Sequence, residues 1–321
     1  MFSLKPDKDI HVEKIKIITK QRNIPALILR PKYTRQSDSA QHGTNTAQHD
    51  TRSIQYDASI AQYDASTIQY DASTMQHNTG TAPACVLWIH GGGYITGMKE
   101  MIHMSRAVDL VKKYGVTVVS VGYRLAFRAP YPAAIKDCYA ALLYIKRHAS
   151  ELHINPHQIM VGGESAGGGL CAALCMLARD KGTVDIAFQM PLYPMIDNFD
   201  TESSRNNHGR IWNTRKNHFG WYMYLRKNAK KNVSPYAAPA RQTDYTNLPP
   251  AYTFVGNKEP FYCETLTYIE NLKKCGIEAQ IDIYDTNMHA FDMMQPDTTL
   301  AKQAVEKFNE HFEYALKHYF A

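Results

Sequence analysis

Polar and apolar positions alternate in Lys14-Ile15-Lys16-Ile17-Ile18-Thr19, as in a strand with one face in water. A second strand, Ile24 to Arg30, is ended by Pro31, and the two predict an antiparallel hairpin at a sheet edge. Ala84 to Ile89 and Val116 to Val121 are instead almost continuously apolar, the pattern of strands covered on both faces. Helical spacing of Met104, Ala107, Leu110 and Val111 predicts a helix over 100–114, and another follows over 133–149. A short strand, Gln158 to Val161, precedes a small-residue helix from Ala166 to Ala178. Strand 185–190, strand 251–255, helix 261–275, strand 279–284 and helix 300–319 continue the series. Strands alternating with helices predict a parallel sheet with helices on both faces.

Two stretches break this rhythm within what reads as one α/β domain over 1–321. Over 35–81 glutamines recur at 41, 48, 55, 62, 69 and 76, and Gln-Tyr-Asp-Ala-Ser begins at Gln55, Gln62 and Gln69. A coiled coil is excluded, because apolar residues fall two apart rather than at three-and-four spacing. So polar a segment cannot bury enough surface to offset its ordering, and reads as a disordered insertion between strands. Such insertions cost little closure entropy, so the fold beneath can survive this one. The second break, 198–247, carries Trp212, Phe219, Trp221, Tyr222 and Tyr224 and reads as a cap region.

Composition narrows the picture modestly. A chain of 321 residues with 44% hydrophobic residues can bury a sizeable core. Its net charge of +6 is mild and scattered. The densest basic patch, Lys216 to Lys231, reads as a solvated helix face rather than a nucleic-acid surface. No run of 18 apolar residues exists, and Met1 to Pro6 lacks a signal-peptide core. The six cysteines sit mainly in apolar patterns, as buried thiols do. A reduced, cytoplasmic protein without a metal site is expected.

Gly163-Glu164-Ser165-Ala166-Gly167 joins a strand to a helix. A serine on such a sharp turn is lifted above the sheet, with small residues needed on either side of it. Its hydroxyl needs a base, and the base needs a carboxylate. Two later strand ends supply them: Gly256 to Phe261, with Glu259, and Asp285 to Phe291, with His289. Glu259 leads as the acid, with Glu264, Asp285 and Asp292 as alternatives. His90-Gly91-Gly92-Gly93 follows a buried strand, so unobstructed amides of Gly91 and Gly92 can join that of Ala166 against a developing oxyanion, each worth about 3 kcal/mol. His90 itself reads as a brace for the loop.

These motifs, with Tyr123-Arg124-Leu125-Ala126, Glu259-Pro260-Phe261 and His289-Ala290-Phe291, resemble the hormone-sensitive-lipase-like branch of the α/β-hydrolases from about Ala84 onward. The resemblance implies an eight-stranded, mostly parallel sheet with a helical cap and a serine carboxylesterase that needs no cofactor. It implies Ser165 as nucleophile, His289 as base, Glu259 as acid, and Gly91, Gly92 and Ala166 as the oxyanion hole. Glutamate stands where the family has aspartate, Cys263 replaces a second aspartate, and Ala290 stands within the usual aromatic-Gly-Phe. The residues before Lys14 are too few for the family's two N-terminal lid helices, so the cap is expected mainly from 198–247. Tyr94, Trp212 and Trp221 are candidate pocket residues. The expected substrate is a small short-acyl ester, with a homodimer compatible and neither nucleic acid nor a membrane span expected. An amidase or peptidase-like hydrolase with the same triad, or a catalytically silent binding relative, stays open.

Overall fold

The computed structural model describes residues 7–32 and 82–321, and the glutamine-periodic insertion lies outside them. Eight strands form one sheet in the order β1-β2-β4-β3-β5-β6-β7-β8. The hairpin is β1 (Ile10–Ile18) against β2 (Asn23–Pro31), antiparallel from Ile10 opposite Pro31 to Ile18 opposite Asn23. Thr19 closes its turn by donating Oγ1–H to the Arg22 carbonyl at 2.8 Å. β2 also runs antiparallel to β4 (Thr117–Val121). Parallel pairing links β4 to β3 (Cys85–Ile89), and then β5 (Ile159–Glu164), β6 (Phe188–Leu192), β7 (Ala251–Gly256) and β8 (Ala279–Tyr284).

Central strands are mostly apolar because alternate side chains enter two separate cores. Leu87, Val119 and Val161 face α2 (Ala133–Arg147), α3 (Ala166–Lys181) and α5 (Tyr262–Lys274). Val86, Trp88, Val118 and Met160 face α1 (Arg106–Tyr114) and α7 (Thr299–His318). Burial of each such side chain is worth about 2 kcal/mol, so both faces need a helical cover. β8, at the edge, keeps a partly exposed pattern.

Two elements depart from their sequence expectation. The helix expected over 100–114 is a 3-10 turn, Lys99–Met104, followed by α1. Ser105 divides them: its Oγ donates to the Ile102 carbonyl at 2.9 Å and accepts the Ala107 N–H at 3.2 Å. The strand expected over 185–190 is shifted to Phe188–Leu192 and runs through Pro191. Within 198–247 lies α4 (Thr214–Leu225), capped by Asn213, which accepts the Lys216 N–H at 3.0 Å. Among the described residues no helix is long and apolar enough to cross a membrane.

Candidate active site

Four loops gather above the carboxyl ends of β3, β5, β7 and β8, the edge of a parallel sheet where ligands bind. Ser165 ends β5 and opens α3 with φ 57° and ψ −119°, a conformation that non-glycine residues rarely adopt. The turn is locked on both sides of the serine. The Ser165 N–H donates to the Leu192 carbonyl at 3.0 Å, and its own carbonyl accepts the Met195 and Gly169 N–H groups at 3.0 and 2.9 Å. A methyl group on Gly163 would lie 2.5 Å from the Ile89 carbonyl oxygen, and one on Gly167 only 2.0 Å from it. These two glycines let β3 and α3 close around the turn.

His289 follows β8 and Glu259 follows β7. The imidazole Nε2 lies 2.9 Å from Ser165 Oγ, and Nδ1 is hydrogen-bonded to Glu259 Oε2. The rings of Tyr193 and Phe261 stand edge-on to the imidazole, with centroids 5.1 and 5.0 Å away. Glu259 is fully buried. Burial raises its pKa above the ordinary carboxylate value, and the charge and hydrogen bond of His289 oppose that rise.

Of the four candidate acids, only Glu259 bonds the imidazole. Glu264 Oε1 accepts the backbone N–H groups of Ile196 and Asp197 at 2.7 and 3.1 Å, bracing the turn after β6. Asp285 is at the surface, paired with Lys258 at 2.6 Å. Asp292, on the short α6 (Phe291–Met294), accepts the Tyr193 hydroxyl at 3.0 Å and lies 3.6 Å from Arg106 Nε. It thereby fixes one of the two rings that hold the imidazole.

The glycine loop after β3 bends back over Ser165, with Gly92 and Gly93 at φ 114° and 59°. A methyl on Gly91 would meet Ser165 Cβ at 3.4 Å. Among the described residues, none of the Gly91, Gly92 and Ala166 N–H groups donates to a backbone carbonyl.

His90 braces this loop. Its Nδ1 lies 2.8 Å from the Gly91 carbonyl, and its ring stacks on Tyr123 at 4.2 Å. Burial pushes the imidazole down to about 4, so it is neutral near pH 7 and donates to the carbonyl from Nδ1. Tyr123 in turn donates to the His90 carbonyl at 3.0 Å. The next residue, Arg124, forks onto buried Asp137 with Nε and Nη2 each 2.9 Å from a carboxylate oxygen. The Tyr-Arg pair thus ties the glycine loop to α2.

A cavity of about 250 Å³ opens onto Ser165 and His289, walled by Trp212, Tyr193, Met293 and Glu164 among others. Of the aromatic pocket candidates, Trp212 lines it; a methyl on Gly93 would fall 2.2 Å from the Trp212 ring, so the two are in close contact. Tyr94 does not line it, because its ring is buried beneath the loop, stacked on Tyr224 at 4.1 Å, with its hydroxyl donating to the Met195 carbonyl at 2.7 Å. Trp221 packs behind Tyr94 and faces a separate surface cavity. The pattern of the chain did not reveal Glu164 as a cavity residue; its position directly before the serine was the available signal. Among the described residues no cluster of His, Cys, Asp and Glu is arranged to hold a metal ion.

The sequence profile of the α/β-hydrolase fold matches residues 86–293. An AB hydrolase superfamily protein of Schizosaccharomyces pombe is 33% identical over 70% of the chain and 68% of its own length. Esterase LipI of Mycobacterium tuberculosis is 31% identical over 64% of the chain and 65% of its own length. Among solved structures, a bacterial heroin esterase superposes with a TM-score of 0.76 at 27% identity, covering 98% of this chain and 84% of that one.

Proposed function

The chain belongs to the α/β-hydrolase fold family, in its hormone-sensitive-lipase-like carboxylesterase branch, and from that premise we propose that it is a serine carboxylesterase acting on small, short-acyl esters. The observation that carries this reading is the continuous relay from Ser165 Oγ through His289 to Glu259. In it His289 Nε2 accepts the hydroxyl proton as Ser165 attacks the ester carbonyl, and Glu259 stabilises the imidazolium that forms. Gly91, Gly92 and Ala166 N–H groups receive the oxyanion, each worth about 3 kcal/mol in the transition state. His289 then protonates the departing alcohol, leaving an acyl-enzyme on Ser165. Water, deprotonated by the same imidazole, attacks that ester; His289 returns the proton to Ser165 Oγ and the acid leaves.

Two features support the choice of a small ester. The cavity of about 250 Å³ is below the usual range for ligand sites, roughly 300–1,000 Å³. Trp212 forms part of its wall, and a bulky indole there favours a small acyl group. The intact hydroxyl–imidazole contact favours a working hydrolase over a catalytically silent relative. A series of p-nitrophenyl acetate, butyrate and palmitate tests this, with acetate or butyrate expected to be preferred. Fluorophosphonate should label Ser165, and Ser165→Ala should lose both labelling and turnover. Turnover retained in that variant refutes the mechanism, and preference for palmitate refutes the short-acyl assignment.

A further inference from the structure

Glu164 is the carboxyl-bearing residue among those lining the catalytic cavity, and the relay does not use it. It directly precedes Ser165, so its backbone lies about 3.8 Å from that of the nucleophile. Trp88 Nε1 donates to Glu164 Oε1 at 2.8 Å. Among the described residues no cation forms an ion pair with it: Arg106, the nearby guanidinium, is placed against Asp292 instead. The surrounding cavity wall is made of the rings of Trp88, Tyr193 and Trp212 and the thioethers of Met293 and Met294. Ring faces attract cations, and polarizable thioethers adapt to the methyl groups around one. A carboxyl without an ion-pair partner, in the same cavity wall as aromatic rings, thioethers and the Ser165–His289 pair, is chemistry suited to an organic cation.

We propose that Glu164 is a specificity-determining residue that selects esters bearing a protonated or quaternary nitrogen a few bonds from the ester group. This inference rests on the esterase reading of the same cavity. In the empty site, burial pushes the Glu164 carboxyl up to about 8, with the charge of Asp292 adding to the rise and Trp88 and Arg106 opposing it. The groups around it are therefore Asp292 on α6, Arg106 on α1, Trp88 on β3, Tyr193 after β6 and His289 after β8. Only Arg106 among them carries a fixed positive charge. An arriving ammonium supplies the missing counter-charge and favours ionised Glu164, so near pH 7 it displaces a proton from the carboxyl.

Matched ester pairs test the proposal. Dimethylaminoethyl acetate and its carbon isostere isoamyl acetate place the nitrogen on the alcohol. Ethyl dimethylaminopropanoate and ethyl isocaproate place it on the acyl group, so the two pairs also show which side occupies the Glu164 wall. The wild type is expected to favour the cationic member of at least one pair by about tenfold in kcat/KM. Glu164→Gln, which keeps an acceptor for Trp88, should reduce that ratio to near one, with its fold checked by circular dichroism and urea denaturation rather than by activity. Comparing the ratio between proteins cancels the different acidities of the two alcohols. An equal ratio in both proteins overturns the proposal and leaves the esterase reading standing. Calorimetry with butyltrimethylammonium on Ser165→Ala reads the cation site without turnover. Binding there that disappears on adding Glu164→Gln supports the proposal even if no ester is cleaved, the result that would sink the esterase reading alone; no binding overturns it.

Discussion

Replacing Gly167 by Ala separates the contribution of the glycine loop from that of the relay. The added methyl would lie 2.0 Å from the Ile89 carbonyl oxygen and 2.6 Å from that of His90, both backbone atoms, where real contacts stay beyond 3.0 Å. The end of β3 must therefore retreat by about 1 Å, or α3 must. Overpacking of this kind costs about 1–3 kcal/mol of stability. Because Ile89 and His90 lead directly into Gly91 and Gly92, the same retreat would draw their amides away from the oxyanion position proposed for them. Misplacement by about 1 Å is worth about 100-fold in rate, similar to deleting one oxyanion donor. In Gly167→Ala, kcat for p-nitrophenyl butyrate should fall about 100-fold, with KM changed only a few-fold because the donors act mainly in the transition state. Urea denaturation should show the stability loss in parallel. A variant destabilised as expected but within about threefold of wild-type kcat would refute the link between β3 and the oxyanion.

Three further outcomes follow from particular contacts. Glu164 keeps a proton in the folded protein up to about pH 8 that an unfolded carboxyl sheds near 4.5, so it makes wild-type stability fall as pH rises through that window; Glu164→Gln should match wild type in urea midpoint at about pH 4.5 and exceed it, by roughly 1 kcal/mol or more, at about pH 9, and a pH-independent difference counts against this. Trp212→Ala removes a wall of the cavity and should raise kcat/KM for p-nitrophenyl octanoate relative to butyrate by about tenfold, which parallel assays of the two esters measure. Arg124→Ala keeps the backbone N–H of residue 124 on buried Asp137 but leaves Arg22, 3.6 Å away, as its one charged partner among the described residues, and should cost about 3 kcal/mol in chemical denaturation.

The relay was legible in the chain because each of its members directly follows a strand whose own pattern is unmistakable. β3, β4, β5 and β7 are buried on both faces and so are written as mostly apolar runs. Ser165, Glu259 and His289 each fall in the turn after such a run or after the edge strand β8. Local spacing misled where a single polar or ring constraint decided the matter. Ser105 interrupts a helical apolar pattern because its hydroxyl serves both the turn before it and the helix after it. Pro191 reads as a strand terminator, yet β6 runs through it, and its carbonyl accepts the Thr253 hydroxyl at 2.6 Å. Aromatic residues were the least legible, since the sequence offers Tyr94, Trp212 and Trp221 as pocket candidates without saying which ring faces the cavity. That depends on long-range partners such as Met195 and Tyr224, about 100 and 130 residues further along the chain than Tyr94. The direction of Glu164 was hidden for the same reason, being set by Trp88 on a neighbouring strand.

The close seating of Trp212 on Gly93 has a consequence for anyone who tries to evolve this protein. One indole both frames what can enter and steadies the backbone from which the amides project. Variants at position 212 will therefore trade selectivity and speed together, and a library built there explores a single joint trait. Tuning the two independently calls for changes elsewhere in the cavity lining, at Met293 and Met294.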